Sequence, residues 1–321
     1  MIRYRPPKWL PGGHAQTIYP LLIKPAPLAY RRQRQETPDG DFIDLDWIDA
    51  ADDNSPLLIL FHGLEGGSNS HYAIALMRAV AAIGWGGVVV HFRGCSGEPN
   101  RLPRAYHSGD SAEIDWILRQ IRQDFPDRPR YAVGVSLGGN ALLKWLGEYE
   151  PEATGCIRAA AAISAPLDLT ACGHHLGRGF NRIYTKHFLQ SLKRSAAAKL
   201  QHYPGIFNER RMREATSLYA FDDAVTAPLH GFTGADDYWR RASSKPWLAA
   251  IRLPALVLNA QNDPFLPASA LPTPDQASVS VKLDFPRQGG HAGFVTGINL
   301  PGQLDWLPQR ILHFFSTRGL K

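Results

Sequence analysis

Ten residues, Tyr131-Ala-Val-Gly-Val-Ser-Leu-Gly-Gly-Asn140, constrain the fold of this chain more than any other stretch. A short apolar run meets a serine, and a helix-forming segment, Ala141-Leu-Leu-Lys-Trp-Leu-Gly-Glu148, follows at once. The pattern reads as strand, sharp turn and helix with Ser136 at the apex, flanked by Gly134 and Gly138 at the G-x-S-x-G spacing of a nucleophile elbow. Such a turn holds its serine in a strained backbone conformation. Strand and helix then pass so closely that side chains at the flanking positions would clash. The hydroxyl comes to rest at a helix N-terminus, where backbone N–H groups and the dipole favour developing negative charge.

Around this elbow the chain predicts a doubly wound core. Continuous apolar runs at 57–61, 87–92, 131–135 and 159–164 alternate with helical patterns at 72–83, 110–121 and after Ser136, and runs at 254–260 and 279–285 resume the series. Strands without polar alternation, joined by crossover helices, imply a parallel sheet covered on both faces. Asp110 and Glu113 stand at capping-box spacing at the start of one of these helices. Ahead of the core, 30–36 and 42–47 alternate apolar and polar residues across Thr37-Pro-Asp-Gly-Asp41, a hairpin signal that predicts an antiparallel edge. Residues 1–30 read as irregular, and a helix over 307–315 closes the chain. Between 167 and 250 the rhythm breaks into helical segments (188–200 and 210–220) with interleaved aromatic residues. This predicts a helical cap inserted in one domain of 321 residues.

A serine hydroxyl becomes a nucleophile only when a base takes its proton, and that base needs an orienting acid. After an elbow the acid and then the histidine follow in the chain. Asp263, in Asn259-Ala-Gln-Asn-Asp-Pro-Phe265, and His291, in Gly289-Gly-His-Ala-Gly-Phe294, both lie just beyond predicted strands. The carboxyl ends of parallel strands are where open α/β sheets place their sites. Rival acids are Asp168, which also follows a strand, and Asp222, Asp223, Asp236 and Asp237 in the cap. An oxyanion needs backbone donors, each worth about 3 kcal/mol when lost. The N–H of Leu137, next to the nucleophile, is one. Leu64, in the glycine-rich loop after the first parallel strand, is the other, with Glu65 as the alternative. His62 is read as bracing that loop, and His14, His107 and Ser108 as structural. Arg93 is a candidate for shaping the site or binding an anion. Cys95 and Ser96 lack an elbow around them.

Hydrophobic residues make up 44% of the chain, enough for a sizeable core. No apolar run reaches the roughly 18–20 residues of a membrane span, and the basic N-terminus has no apolar stretch behind it, so neither stable membrane insertion nor secretion is expected. Three cysteines make no disulfide framework and have no metal spacing, which fits reduced thiols in a cytoplasmic protein. Net charge is +6, with basic residues read as spread over a solvated surface apart from small clusters at Arg31–Arg34 and Arg210–Arg213. No nucleic-acid signature accompanies them. No cofactor and no metal are implied, and oligomeric state is left open.

The sequence resembles the α/β-hydrolase superfamily and, within it, a YheT-like esterase branch that includes eukaryotic abhydrolase-domain and embryogenesis-associated proteins. Its matching stretches run almost end to end: Gly13-His-Ala-Gln-Thr17, Phe61-His-Gly-Leu-Glu-Gly66, His91-Phe-Arg-Gly-Cys-Ser-Gly-Glu-Pro-Asn100, Gly134-Val-Ser-Leu-Gly-Gly-Asn140, Asn262-Asp-Pro-Phe265 and Gly289-Gly-His-Ala-Gly-Phe294. The resemblance implies an α/β-hydrolase fold, a Ser136–Asp263–His291 triad, and a carboxylesterase acting on a small-molecule ester, short-chain or lipid-like. An acyltransferase with the same triad differs only in its acceptor. A binding module on the same scaffold has no need of all three residues together.

Overall fold

The computed structural model describes residues 3–23, 25–150 and 152–318. Eight strands form one sheet: β1 (Arg31–Glu36), β2 (Phe42–Ile48), β3 (Leu57–Phe61), β4 (Gly86–His91), β5 (Arg130–Val135), β6 (Ala159–Ile163), β7 (Ala255–Leu258) and β8 (Val281–Asp284). Their order across the sheet is β1-β2-β4-β3-β5-β6-β7-β8. β4 through β8 run parallel, and β2 joins β4 antiparallel with β1 outside it. β3, β5, β6 and β7 are buried throughout, as continuous Leu, Val, Ile and Ala runs require when both faces are covered.

The antiparallel edge is built differently from the expected alternation of apolar and polar residues. β1 is wholly polar, Arg-Arg-Gln-Arg-Gln-Glu, while β2 is buried on both faces. Asp44 and Asp46 of β2 stand opposite Arg34 and Arg32, each of which reaches both oxygens of its carboxylate. The arginine cluster is therefore a cross-strand set of ion pairs, which satisfies two buried carboxylates and blunts the sheet edge with charge.

Among the described residues there are twelve α-helices: α1 (Gly13–Ile18), α2 (His71–Ala82), α3 (Ser111–Asp124), α4 (Leu137–Glu148), α5 (Glu152–Cys156), α6 (Leu169–Leu176), α7 (Arg182–His202), α8 (Glu209–Glu214), α9 (Leu218–Phe221), α10 (Ala227–Leu229), α11 (Ala235–Ala242) and α12 (Trp306–Arg318). α3 and α4 cover one face of the sheet with a core that includes Ile117, Leu142 and Trp145. α2 and α12 cover the other with Met77, Val80 and Phe315. Asp110 caps α3 by accepting from the Glu113 N–H, but Glu113 does not complete the box, because its carboxylate is paired with buried Arg93.

Between β6 and β7 the chain contains α6 to α11 and no strand, the helical stretch expected to form a cap. The single helix expected over 210–220 is broken: Ala215 leaves helical geometry, and Ser217 starts α9 by accepting from the Ala220 N–H. α9 continues through a π-turn, Asp222–Thr226, into α10. Asn140 of α4 ties the cap to the core, donating to the Ser108 and Ala242 carbonyls and accepting from the Ser244 N–H. The N-terminal stretch is not irregular throughout. α1 lies in it, carrying buried Gln16 and Thr17.

Candidate active site

The elbow forms because its glycines allow it. Ser136 has φ 53° and ψ −120°, a left-handed conformation held between β5 and α4 by its N–H bond to the Ile163 carbonyl. A Cβ at Gly134 would stand 2.4 Å from the Gly138 oxygen, and one at Gly138 would stand 2.5 Å from the Phe61 oxygen. Neither position has room for a side chain.

His291 donates from Nδ1 to Asp263 Oδ2 at 2.9 Å. The Asp263 side chain is fully buried and also accepts from the Phe265 N–H at 2.8 Å, which aims the carboxylate. Phe265 stacks on the His291 imidazole with ring centroids 4.0 Å apart. These contacts leave His291 Nε2 as the free ring nitrogen. Ser136, Leu137, Leu64 and His291 line one cavity of about 470 Å³. The Ser136 hydroxyl and the imidazole make no direct hydrogen bond.

The loop after β3 lies against the serine, where a Cβ at Gly63 would stand 3.1 Å from the Ser136 Cβ. Its backbone N–H groups are almost all engaged. Gly63 donates to the Tyr72 hydroxyl, Glu65 to the Tyr106 hydroxyl, Gly66 to the Gly63 carbonyl and Gly67 to Ser70 Oγ. Among the described residues the Leu64 N–H has no such partner, and Glu65, the alternative, has its N–H committed. The Leu137 N–H belongs to the first turn of α4, which has no acceptor within its own helix. His62 braces this loop, donating from Nδ1 to the Gly63 carbonyl and accepting from the Phe92 N–H at Nε2. Burial pushes its pKa down to about 3 and keeps it neutral.

Residues that the sequence reading passed over position the acid and histidine loops. Gln16, fully buried on α1, accepts from the Gly289 N–H and from Asn262 Nδ2 while donating to the Leu10 carbonyl and Gln288. Thr17 Oγ1 accepts from the His291 N–H, and Asn262 Oδ1 from the Gly290 N–H. Ser164, at the end of β6 with φ 50°, accepts from the Ala292 N–H, and His71 donates to the Ala292 carbonyl. Burial, with the nearby His291 adding to it, lowers the His71 pKa to about 4. In the sequence Gln16 and Thr17 stood out only as part of Gly13-His-Ala-Gln-Thr17, a stretch of the family resemblance with no role attached to it.

The remaining candidates are accounted for elsewhere. Asp168 caps α6 by accepting from the Ala171 N–H, and Ser96 donates to Asp44. Arg93 lines the same cavity as Ser136 and is buried against Asp39, Asp41 and Glu113, which pair with its charge. Cys95 is buried enough to push its thiol pKa far up, which leaves little thiolate. Asp222 accepts from Trp239 Nε1 and the Thr226 hydroxyl in the cap, and Asp223 and Asp237 pair with arginines. Among the described residues no group of three or more His, Cys, Asp or Glu side chains is placed to hold a metal ion.

Residues 56–298 match the family described as alpha/beta hydrolase fold. The chain is 41% identical over 309 residues to a protein named "Putative esterase YheT" from Escherichia coli (strain K12), covering 95% of this chain and 90% of that one. It is 30% identical over 307 residues to Phospholipase ABHD3 of Homo sapiens, covering 92% of this chain and 74% of that one. Among solved structures, Est1E from Butyrivibrio proteoclasticus with bound ferulic acid superposes with a TM-score of 0.59 at 14% identity, covering 92% of this chain and all of that one.

Proposed function

This chain belongs to the alpha/beta hydrolase family, and from that premise we propose that it is a serine carboxylesterase working through an acyl-enzyme on Ser136. The observation that carries the reading is the His291–Asp263 hydrogen bond, made where His291 shares a cavity wall with an elbow serine. In this mechanism Ser136 Oγ attacks the ester carbonyl while His291 Nε2 takes its proton. Asp263 holds the imidazole in the tautomer with Nδ1 protonated and stabilises the imidazolium that forms. The Leu137 and Leu64 N–H groups receive the oxyanion. His291 then protonates the departing alcohol and draws a proton from the water that releases the acid.

The cavity supports a small-molecule ester as substrate. About 470 Å³ is the size of a pocket for a small molecule, and its cap side is lined by Leu169, Leu192, Phe207, Phe221, Val225 and Trp239. An apolar acyl or alkyl group of moderate length fits this lining.

Hydrolysis of p-nitrophenyl esters of graded chain length, run beside Ser136→Ala, tests the proposal. Turnover should fall by about 10⁴-fold or more in the variant with the fold retained, and a fluorophosphonate should label the wild type alone. Folded wild type that neither turns over nor labels would refute the mechanism.

A further inference from the structure

Seven of the nine large hydrophobic side chains exposed among the described residues come from three short segments beside the candidate histidine. Ile18, Leu21 and Leu22 project from the end of α1 and the turn after it. Phe180 and Ile183 project from the start of α7, and Ile298 and Leu300 from a loop closed by the Thr296–Gln303 bridge. Contacts join the segments. The Phe180 ring lies 4.6 Å from His14, one turn before Ile18, and His14 is hydrogen-bonded to Tyr184, whose ring meets Phe265 on His291. On the other side a Cβ at Gly302 would stand 3.1 Å from the Trp9 ring, which packs edge-to-face on Tyr19.

The same neighbourhood holds the charge surplus of the molecule. Residues 3–23, 169–190 and 285–304 contain seven Lys or Arg and no Asp or Glu, with exposed Asp305, which accepts from Thr296, bordering the third segment, whereas the rest of the chain has 28 against 29. The basic residues are thus not spread evenly, as the linear sequence suggests. Arg3, Arg5, Lys8, Arg178, Arg182 and Lys186 are all exposed, and among the described residues none of them is in an ion pair. The clustered Arg32 and Arg34, by contrast, are neutralised by β2.

We infer that this face docks on an anionic lipid surface. Single apolar side chains on turns and loop tips, ringed by long cations, suit the boundary between headgroups and acyl chains. A second copy of the chain would bring like charges together across the same face, and the cavity of about 400 Å³ there, which Phe180 lines with His14, His175 and Arg178, takes in none of the other six apolar side chains. No helix among the described residues is long and apolar enough to cross a membrane. The docking does not depend on which ester the site hydrolyses.

Flotation with vesicles tests it, using the full chain carrying Ser136→Ala so that lipid is not consumed. The protein should float with equimolar phosphatidylcholine–phosphatidylglycerol vesicles and not with phosphatidylcholine alone, and binding should weaken about tenfold or more at high salt. Leu21→Asp with Leu300→Asp, and separately Arg178→Glu with Arg182→Glu, should each reduce binding about tenfold. Both pairs, placed in the wild-type background, should leave p-nitrophenyl ester turnover unchanged, which reports that the fold is intact. No binding, equal binding to both vesicles, undiminished binding of the variants, or a dimer that the same substitutions dissolve would each overturn the inference.

Discussion

At the residue scale the most telling side chain is Gln16. One amide, buried on a helix of six residues, is shared between the loop carrying Asp263 and the loop carrying His291. Gln16→Leu keeps the volume and removes every bond. The Gly289 N–H and Asn262 Nδ2 then lose their acceptor, at a cost of about 3 kcal/mol. Thermal unfolding should report that loss. If the proposed triad operates, kcat should also fall about tenfold or more with little change in KM, because a displaced imidazole loses attack geometry and not substrate affinity. Unchanged kcat in a destabilised variant would mean that the amide serves stability alone.

At the element scale two backbone devices decide the architecture. The elbow depends on the absence of side chains at Gly134 and Gly138, so Gly138→Ala drives a methyl against the Phe61 and His62 carbonyls. Backbone on both sides prevents relief, and a loss of several kcal/mol, seen as a sharp drop in Tm or in soluble yield, is expected. The π-turn of the cap carries the second device. Burial raises the Asp222 pKa to about 6, despite donors from Thr226 and Trp239. The folded chain therefore keeps a proton that the unfolded chain releases from about pH 4 upward. Its contribution to stability declines as pH rises from about 4 to 6 and is lowest above that window. Asp222→Asn is neutral throughout, so its Tm relative to wild type should rise with pH across this range. A constant difference would show that the carboxyl does not titrate there.

At the scale of the whole molecule Asn140 ties cap to core with two bonds, to the Ala242 carbonyl and from the Ser244 N–H, and adds a third within the core to the Ser108 carbonyl. Asn140→Ala strands the Ser244 N–H and two carbonyls in a buried seam, at a cost of about 2–3 kcal/mol. Amide exchange should then rise in α6 and α11 before it rises in the sheet strands. Exchange that rises equally everywhere would mean that cap and core unfold as one unit. Charge is also distributed at this scale: the face beside His291 carries the surplus, and the opposite sheet edge is neutralised pair by pair.

The local chemistry of this chain was legible in its sequence wherever a short stretch determines its own geometry. G-x-S-x-G specifies a strained turn because only glycine tolerates such close backbone approach. Unbroken apolar runs specify a parallel sheet because both faces must be covered, and Asp-Gly specifies the hairpin. Asp263 and His291 were nominated by chain order and loop position, and the fold brings them to 2.9 Å. The tertiary structure alone decided what depends on residues distant in the chain. Asp222 is half-buried and Asp236 is exposed. The Leu64 N–H is left uncommitted while Glu65 is used, and a helix in an apparently irregular N-terminus holds both loops 246 and 273 residues away. Hydrogen-bond partners and charge surfaces form only when segments meet, and no local pattern records which segments those will be.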